Sequence, residues 1–165
     1  MNSHSEERIE TYRHLLTVCD VRNCENVFQS IADRFEDDLL EVEEFPENYF
    51  GFVLELLGNE SLFSKPGVWN FLLVLSTEQG KLLPQHYEML ARCLVSNYAR
   101  YENSDLCLAA CDFVARNYSA VEARAILGRL SAIEQNKAER LHGYVKEGLR
   151  ILAAEEVRSA RKKTS

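Results

Sequence analysis

The chain has 165 residues, a hydrophobic fraction of 46% and a formal net charge of −7, a globular composition that excludes disorder and disfavours nucleic acid or an anionic membrane as the main partner. That length fits one domain and buries a substantial core without metal or disulfide staples. Residues 1–60 hold 15 acids and 4 bases, and residues 61–165 hold 11 acids and 15 bases, an asymmetry that points to an interaction surface more than to chemistry.

Helix signals recur from end to end. Ile9, Tyr12, Leu15, Leu16 and Cys19 follow the i, i+3, i+4 rule and predict a first amphipathic helix. Asn23 is placed to cap a second, with Val27, Phe28, Ile31 and Phe35 as its buried stripe. An acidic run follows, in which seven of the twelve residues from Glu36 to Glu47 are carboxylates and none is basic. Pro46 suits a first helical position with Glu47 beside the positive end of the dipole, and Tyr49, Phe50, Val53, Leu54 and Leu57 continue to Gly58.

Ser64-Lys65-Pro66 restarts the pattern, and Trp69, Leu72, Leu73 and Leu75 carry it towards Gly80 as a core helix. Pro84 opens a longer helix with Tyr87, Leu90, Ala91, Leu94, Val95 and Tyr98, and Ser104 is placed to cap the next, with Leu106, Cys107, Ala110, Cys111, Phe113 and Val114 inward. Two capping boxes, Ser119–Glu122 and Ser131–Glu134, predict a helix over 120–130 burying Val121, Ala125, Ile126 and Leu130, and another over 132–157 with Leu141, Val145, Leu149 and Leu152. Residues 1–157 thus read as one helical domain and 158–165 as a basic frayed tail.

No segment alternates apolar and polar residues for long enough to predict a strand. The expected fold is all-α, about eight helices stacked as antiparallel helical hairpins in a HEAT-like solenoid. A faint repeat agrees with stacking: Leu90-Ala-Arg-Cys93 with Asn97-Tyr98 echoes Leu108-Ala-Ala-Cys111 with Asn117-Tyr118.

The five cysteines, Cys19, Cys24, Cys93, Cys107 and Cys111, are odd in number and contain no C-x-x-C, so a disulfide framework is not expected and a reducing cytosol is. Met1-Asn-Ser-His-Ser-Glu-Glu lacks a basic start and apolar stretch, and the longest apolar run, Phe71 to Leu75, is too short to span a membrane. A soluble cytoplasmic protein is the expectation.

The acidic run is the leading site. Leu39, Leu40, Val42 and Phe45 interleave with its carboxylates and should pin them to the core, giving the fixed geometry that docking of a basic protein needs. Asp37, Asp38, Glu41, Glu43, Glu44 and Glu47 are the expected electrostatic contacts, with Tyr49 beside them as an aromatic anchor. The blander reading is a solvated helix end and loop, which most charge runs are.

Other chemistry lacks its residues. A calcium loop needs acids at alternate positions and a glycine, which the run lacks, and a di-iron site needs Glu-x-x-His pairs on two facing helices. His4, His14, His86 and His142 are scattered, and no zinc, cofactor or catalytic spacing emerges. Cys107 and Cys111 share a helix face and read as small buried hydrophobes. Tyr98, Tyr101 and Tyr118 lie near helix ends, where a phenol buries its ring and keeps its hydroxyl wet, and are secondary interface candidates.

The stretch from Pro46-Glu-Asn-Tyr-Phe to Phe113-Val-Ala-Arg-Asn117-Tyr118 resembles small bacterial immunity proteins that accompany polymorphic toxins of the contact-dependent inhibition and Rhs types. The Tyr49 helix, Gly67-Val-Trp69 with its leucine-rich continuation, and Cys111-Asp-Phe-Val-Ala-Arg-Asn117-Tyr118 carry the resemblance. Residues 104–155 also look like HEAT-type hairpins. The resemblance implies a cytosolic protein without catalysis that occludes a cognate toxin, often a nuclease with a basic substrate surface. Because many immunity proteins bind beside the active site, it leaves open whether the acidic run is the contact. The alternative is a helical-repeat adaptor or regulatory scaffold with an apolar peptide groove. An enzyme with scattered acids is a third reading, and it needs carboxylates that converge in a pocket.

Overall fold

Nine α-helices and two short 3-10 turns form the regular structure of residues 2–137 and 143–164, the part of the chain that the computed structural model describes. The helices are α1 (Asn2–Val18), α2 (Cys24–Leu39), α3 (Glu47–Gly58), α4 (Glu60–Phe63), α5 (Asn70–Thr77), α6 (Pro84–Asn97), α7 (Ser104–Asn117), α8 (Ala120–Asn136) and α9 (Tyr144–Thr164). The fold is all-α. The main helix contacts run in two rows, α1–α3–α6–α8 and α2–α5–α7–α9, joined where α1 meets α2 and where α8 meets α7 and α9.

Phe35 of α2 centres the first half of the core. It is fully buried, and its ring lies 4.6 Å from Tyr49, 5.6 Å from Phe71, 6.1 Å from Phe45 and 6.2 Å from Phe52. Burying such a ring contributes on the order of 3 kcal/mol. Because Phe35 is one turn from the end of α2, it fixes where the acidic connector leaves the core. In the second half, Tyr98 donates to Glu134 Oε1 at 2.5 Å and Tyr101 to the Leu57 carbonyl at 2.6 Å. Gly148 lets α9 close on α7 and α8, since a Cβ there would lie 3.1 Å from Cys111 Cβ and 3.1 Å from Leu127 Cδ2. The echoed Asn-Tyr pairs share a role: Asn97 and Asn117 each donate to the carbonyl four residues back, at 2.8 and 2.9 Å.

Several expectations are corrected. Ser131 starts no helix, and α8 runs on to Asn136, because Glu134, the other half of the expected box, is buried beneath Tyr98 and also accepts from the Val145 amide at 3.2 Å. The buried stripe of α8 is Ala123, Ile126, Leu127 and Leu130, with Val121 and Ala125 outside. In α9, Val145, Ile151 and Leu152 are buried while Leu149 is exposed. Residues 158–164 lie within α9, where cations suit the negative end of a helix dipole and Arg158 bridges Glu155 at 3.2 Å. Leu141 and His142 lie outside the described residues.

Other corrections are local. Asn103, and not Ser104, caps α7, its side chain accepting from the Asp105 and Leu106 amides. Residues 64–69 form turns around Gly67, whose φ is +97°, so α5 begins only at Asn70 and Trp69 is half-buried. Tyr98 and Tyr101 are fully buried, and the Tyr118 hydroxyl donates to the Tyr87 carbonyl at 2.6 Å, so none of the three presents its phenol to a partner. Most consequential, Cys19 and Cys24 are joined by a disulfide, with Cα atoms 5.5 Å apart. The turn from Asp20 to Asn23, closed by the Asn23 amide on the Asp20 carbonyl at 2.9 Å, brings together cysteines that linear spacing did not pair.

Candidate functional site

The acidic run spans the last turn of α2, the connector 40–46 and the start of α3. Three of its carboxylates, Glu36, Asp37 and Asp38, crowd the negative end of α2, where acids are destabilising. Two bases offset this. Lys81 donates to the Leu39 carbonyl at 2.5 Å and bridges Glu78 at 2.6 Å, and Arg8 of α1 bridges Asp38. Glu36 still feels the crowding: burial, with Glu78, Asp33 and Asp37 nearby, raises its carboxyl above the usual range.

The connector is pinned, as expected from its apolar residues. Leu39 and Phe45 are buried, Val42 is half-buried, and the Phe45 amide donates to the Lys81 carbonyl at 3.0 Å. Leu40 departs from that pattern and is 69% exposed.

The seven expected contact residues divide into two sets. Tyr49 is 4% exposed, inside the aromatic cluster, and its hydroxyl donates to Asp38 Oδ2 at 2.8 Å. It is a core residue and presents no anchor; the apolar side chain beside the acids is Leu40. Asp38 also accepts from the Tyr12 hydroxyl at 3.0 Å, so with Arg8 its carboxylate is fully used inside the fold. Burial raises the Tyr12 and Tyr49 phenols above their usual value, which keeps both hydroxyls as donors.

Glu47 meets the buried His86 ring, Oε1 to Nε2 at 2.8 Å. His86 Nδ1 accepts from the Leu83 amide at 3.0 Å, and its ring lies 4.3 Å from Phe50. Nδ1 is thus an acceptor and Nε2 carries the proton given to Glu47. Sequence reading missed His86; its place two residues after Pro84, in the first turn of a helix, was the available signal. The remaining four, Asp37, Glu41, Glu43 and Glu44, are exposed and form no ion pair among the described residues.

A second feature lies further along the row that begins with α2. A cleft of about 530 Å³ opens between α5, α7 and α9. Phe113 and Ile151 form its floor, while Trp69, Leu73 and Leu108 stand at its mouth, Leu73 56% exposed. Four of its charged lining residues pair with one another, Arg116 with Asp112 at 2.8 Å and Arg150 with Glu147 at 2.5 Å, and Asp105 also lines it.

Among the described residues no three His, Cys, Asp or Glu side chains converge as a metal site, and no helix is long and apolar enough to cross a membrane. Comparison with protein-family models, with curated proteins and with solved structures finds no match for this chain.

Proposed function

We propose that the chain is a non-catalytic binding protein, specifically an immunity protein that neutralises a cognate bacterial toxin in the cytoplasm by occluding a basic, nuclease-type surface. One observation supports this reading: Asp37 at the end of α2 and Glu41, Glu43 and Glu44 on the connector are exposed and without an ion pair among the described residues, where Leu39 and Phe45 hold the backbone. The four carboxylates give this stretch a surface of one charge sign, which a cationic partner complements. Fixed charges of one sign accelerate encounter and exclude wrong partners. Leu40, exposed among them, supplies the apolar contact at such an interface.

The test is co-expression in bacteria with the C-terminal domain encoded directly upstream of this chain, followed by titration calorimetry of the pair across a salt series. Growth rescue and an affinity that falls steeply with salt are expected, with both lost in a variant carrying Asp37→Lys, Glu41→Lys, Glu43→Lys and Glu44→Lys. No rescue and no binding would overturn the immunity reading. Full binding by the fourfold variant would overturn the acidic contact alone.

The α5–α7–α9 cleft favours a second reading, an adaptor that seats an apolar peptide segment. It predicts binding that changes little with salt and is abolished by Leu108→Glu.

A further inference from the structure

We propose that Cys19 and Cys24 form a reversible thiol–disulfide site that exchanges with low-molecular-weight thiols of the glutathione class, with Cys19 as the sulfur under attack. The two residues differ in access. Cys24 is fully buried, whereas Cys19 is partly exposed at the end of α1, so an incoming thiolate reaches Cys19 Sγ and only that sulfur.

The surroundings stabilise the charge that exchange creates on each side. Lys65 Nζ lies 3.8 Å from Cys19 Sγ, held there by its bonds to the Leu16 and Thr17 carbonyls. Its ammonium attracts an anionic small thiol and stabilises a Cys19 thiolate. Cys24 is the first residue of α2, and the Asn23 side chain makes no capping bond, so the positive end of the helix dipole favours a Cys24 thiolate as it leaves. Glu25, next in line, opposes this in part.

The other cysteines differ. Burial raises Cys93, Cys107 and Cys111 above the usual thiol value, and the charge of Lys137 offsets this only in part at Cys107.

The chemistry balances as an exchange. A small thiolate attacks Cys19 Sγ, a mixed disulfide forms, the Cys19–Cys24 bond breaks, and Cys24 leaves as a thiolate that takes a proton from solvent. A second small thiolate attacks the small-thiol sulfur of that adduct and expels Cys19. Two small thiols are oxidised to their disulfide, and the protein gains two electrons and two protons as two thiols. The small disulfide drives the reverse reaction. On reduction each thiol has a carbonyl acceptor at hand, Leu16 for Cys19 Sγ at 3.3 Å and Cys19 for Cys24 Sγ at 3.7 Å. A bridge of this kind suits a reducing compartment, where disulfides act as transient or sensing pairs.

The experiment equilibrates the full chain in buffers of graded reduced-to-oxidised glutathione ratio, alkylates with N-ethylmaleimide and reads intact mass. Two thiols, at Cys19 and Cys24, should become alkylatable together as the ratio rises, and the reduced protein should melt about 5 °C lower. In Cys24→Ser one glutathione should accumulate on Cys19, and in Cys19→Ser none should appear on Cys24. Lys65→Met should slow the Cys19 adduct about two- to fivefold, the scale of one charge near 4 Å in water, and Lys65→Arg should restore it. The proposal is overturned if both thiols alkylate at every ratio, if the bridge survives fully reduced glutathione, or if Cys24 collects adduct as readily as Cys19.

Discussion

The Tyr49 hydroxyl donates to Asp38 at 2.8 Å, and that single bond moves both residues from the docking surface into the fold. With the Tyr12 hydroxyl and Arg8 on the same carboxylate, Asp38→Ala strands two buried phenols and an arginine. The expected loss is about 3 kcal/mol of unfolding free energy, read from urea denaturation. Glu43→Gln and Glu44→Gln should shift stability by less than about 0.5 kcal/mol while weakening partner binding. Opposite rankings in stability and in affinity are the signature. A stable Asp38→Ala with impaired binding would return Asp38 to the interface.

Glu36 provides a test of the crowding. Its carboxyl is raised above the usual 4.5 by burial first, then by Glu78, Asp33 and Asp37. A carboxyl raised in the folded state favours folding in its neutral form. Its contribution is present below the unfolded value and is lost as pH rises through the folded one. Glu36→Gln should therefore melt about 1–2 °C above the parent at pH 7, with the gap closing below about pH 4. Thermal scans across pH 3–7 check both ends.

Gly148 sits where α9 crosses α7, with Cys111 Cβ at 3.1 Å and the Cys111 carbonyl at 3.2 Å from any added Cβ. Those neighbours are backbone or attached directly to it, so α9 itself must move. Gly148→Val should cost about 1–3 kcal/mol despite better helix propensity. The same substitution at Gly128, which has open space around it, should be near neutral. Urea midpoints of the two variants decide the point.

How far the sequence was legible depends on whether a feature is set by local spacing. The stripe of α2 could be read because Phe28, Ile31 and Phe35 repeat at helical spacing and are buried together. The phase of α8 could not, since Val121 and Ala123 are both apolar and the packing of α6, α7 and α9 around the helix decides which is covered. Residues 64–69 misled for a tertiary reason. Gly67 turns with positive φ and a Cβ there would lie 2.9 Å from Glu25 Cα of α2, a close approach that no window around Pro66 reveals. At the acidic run, spacing found the carboxylates but not their partners. Arg8 and Tyr12 arrive from α1, and His86 from α6.

Cys107 and Cys111 place a final constraint on the second half of the core. Both are essentially fully buried, and desolvation pushes each thiol up to about 12 from an ordinary 9.0. Each therefore favours the fold as a neutral thiol, and that contribution is lost as pH rises past 9 towards 12. The slope approaches about 1.4 kcal/mol per pH unit for each thiol. The parent should lose urea stability from pH 9 upward, with the buried phenols adding their own share as pH nears 10. Cys107→Ala with Cys111→Ala should show a shallower decline, though from a lower starting stability because two buried sulfurs are gone. Parallel pH profiles for the two proteins would place the alkaline sensitivity outside these thiols.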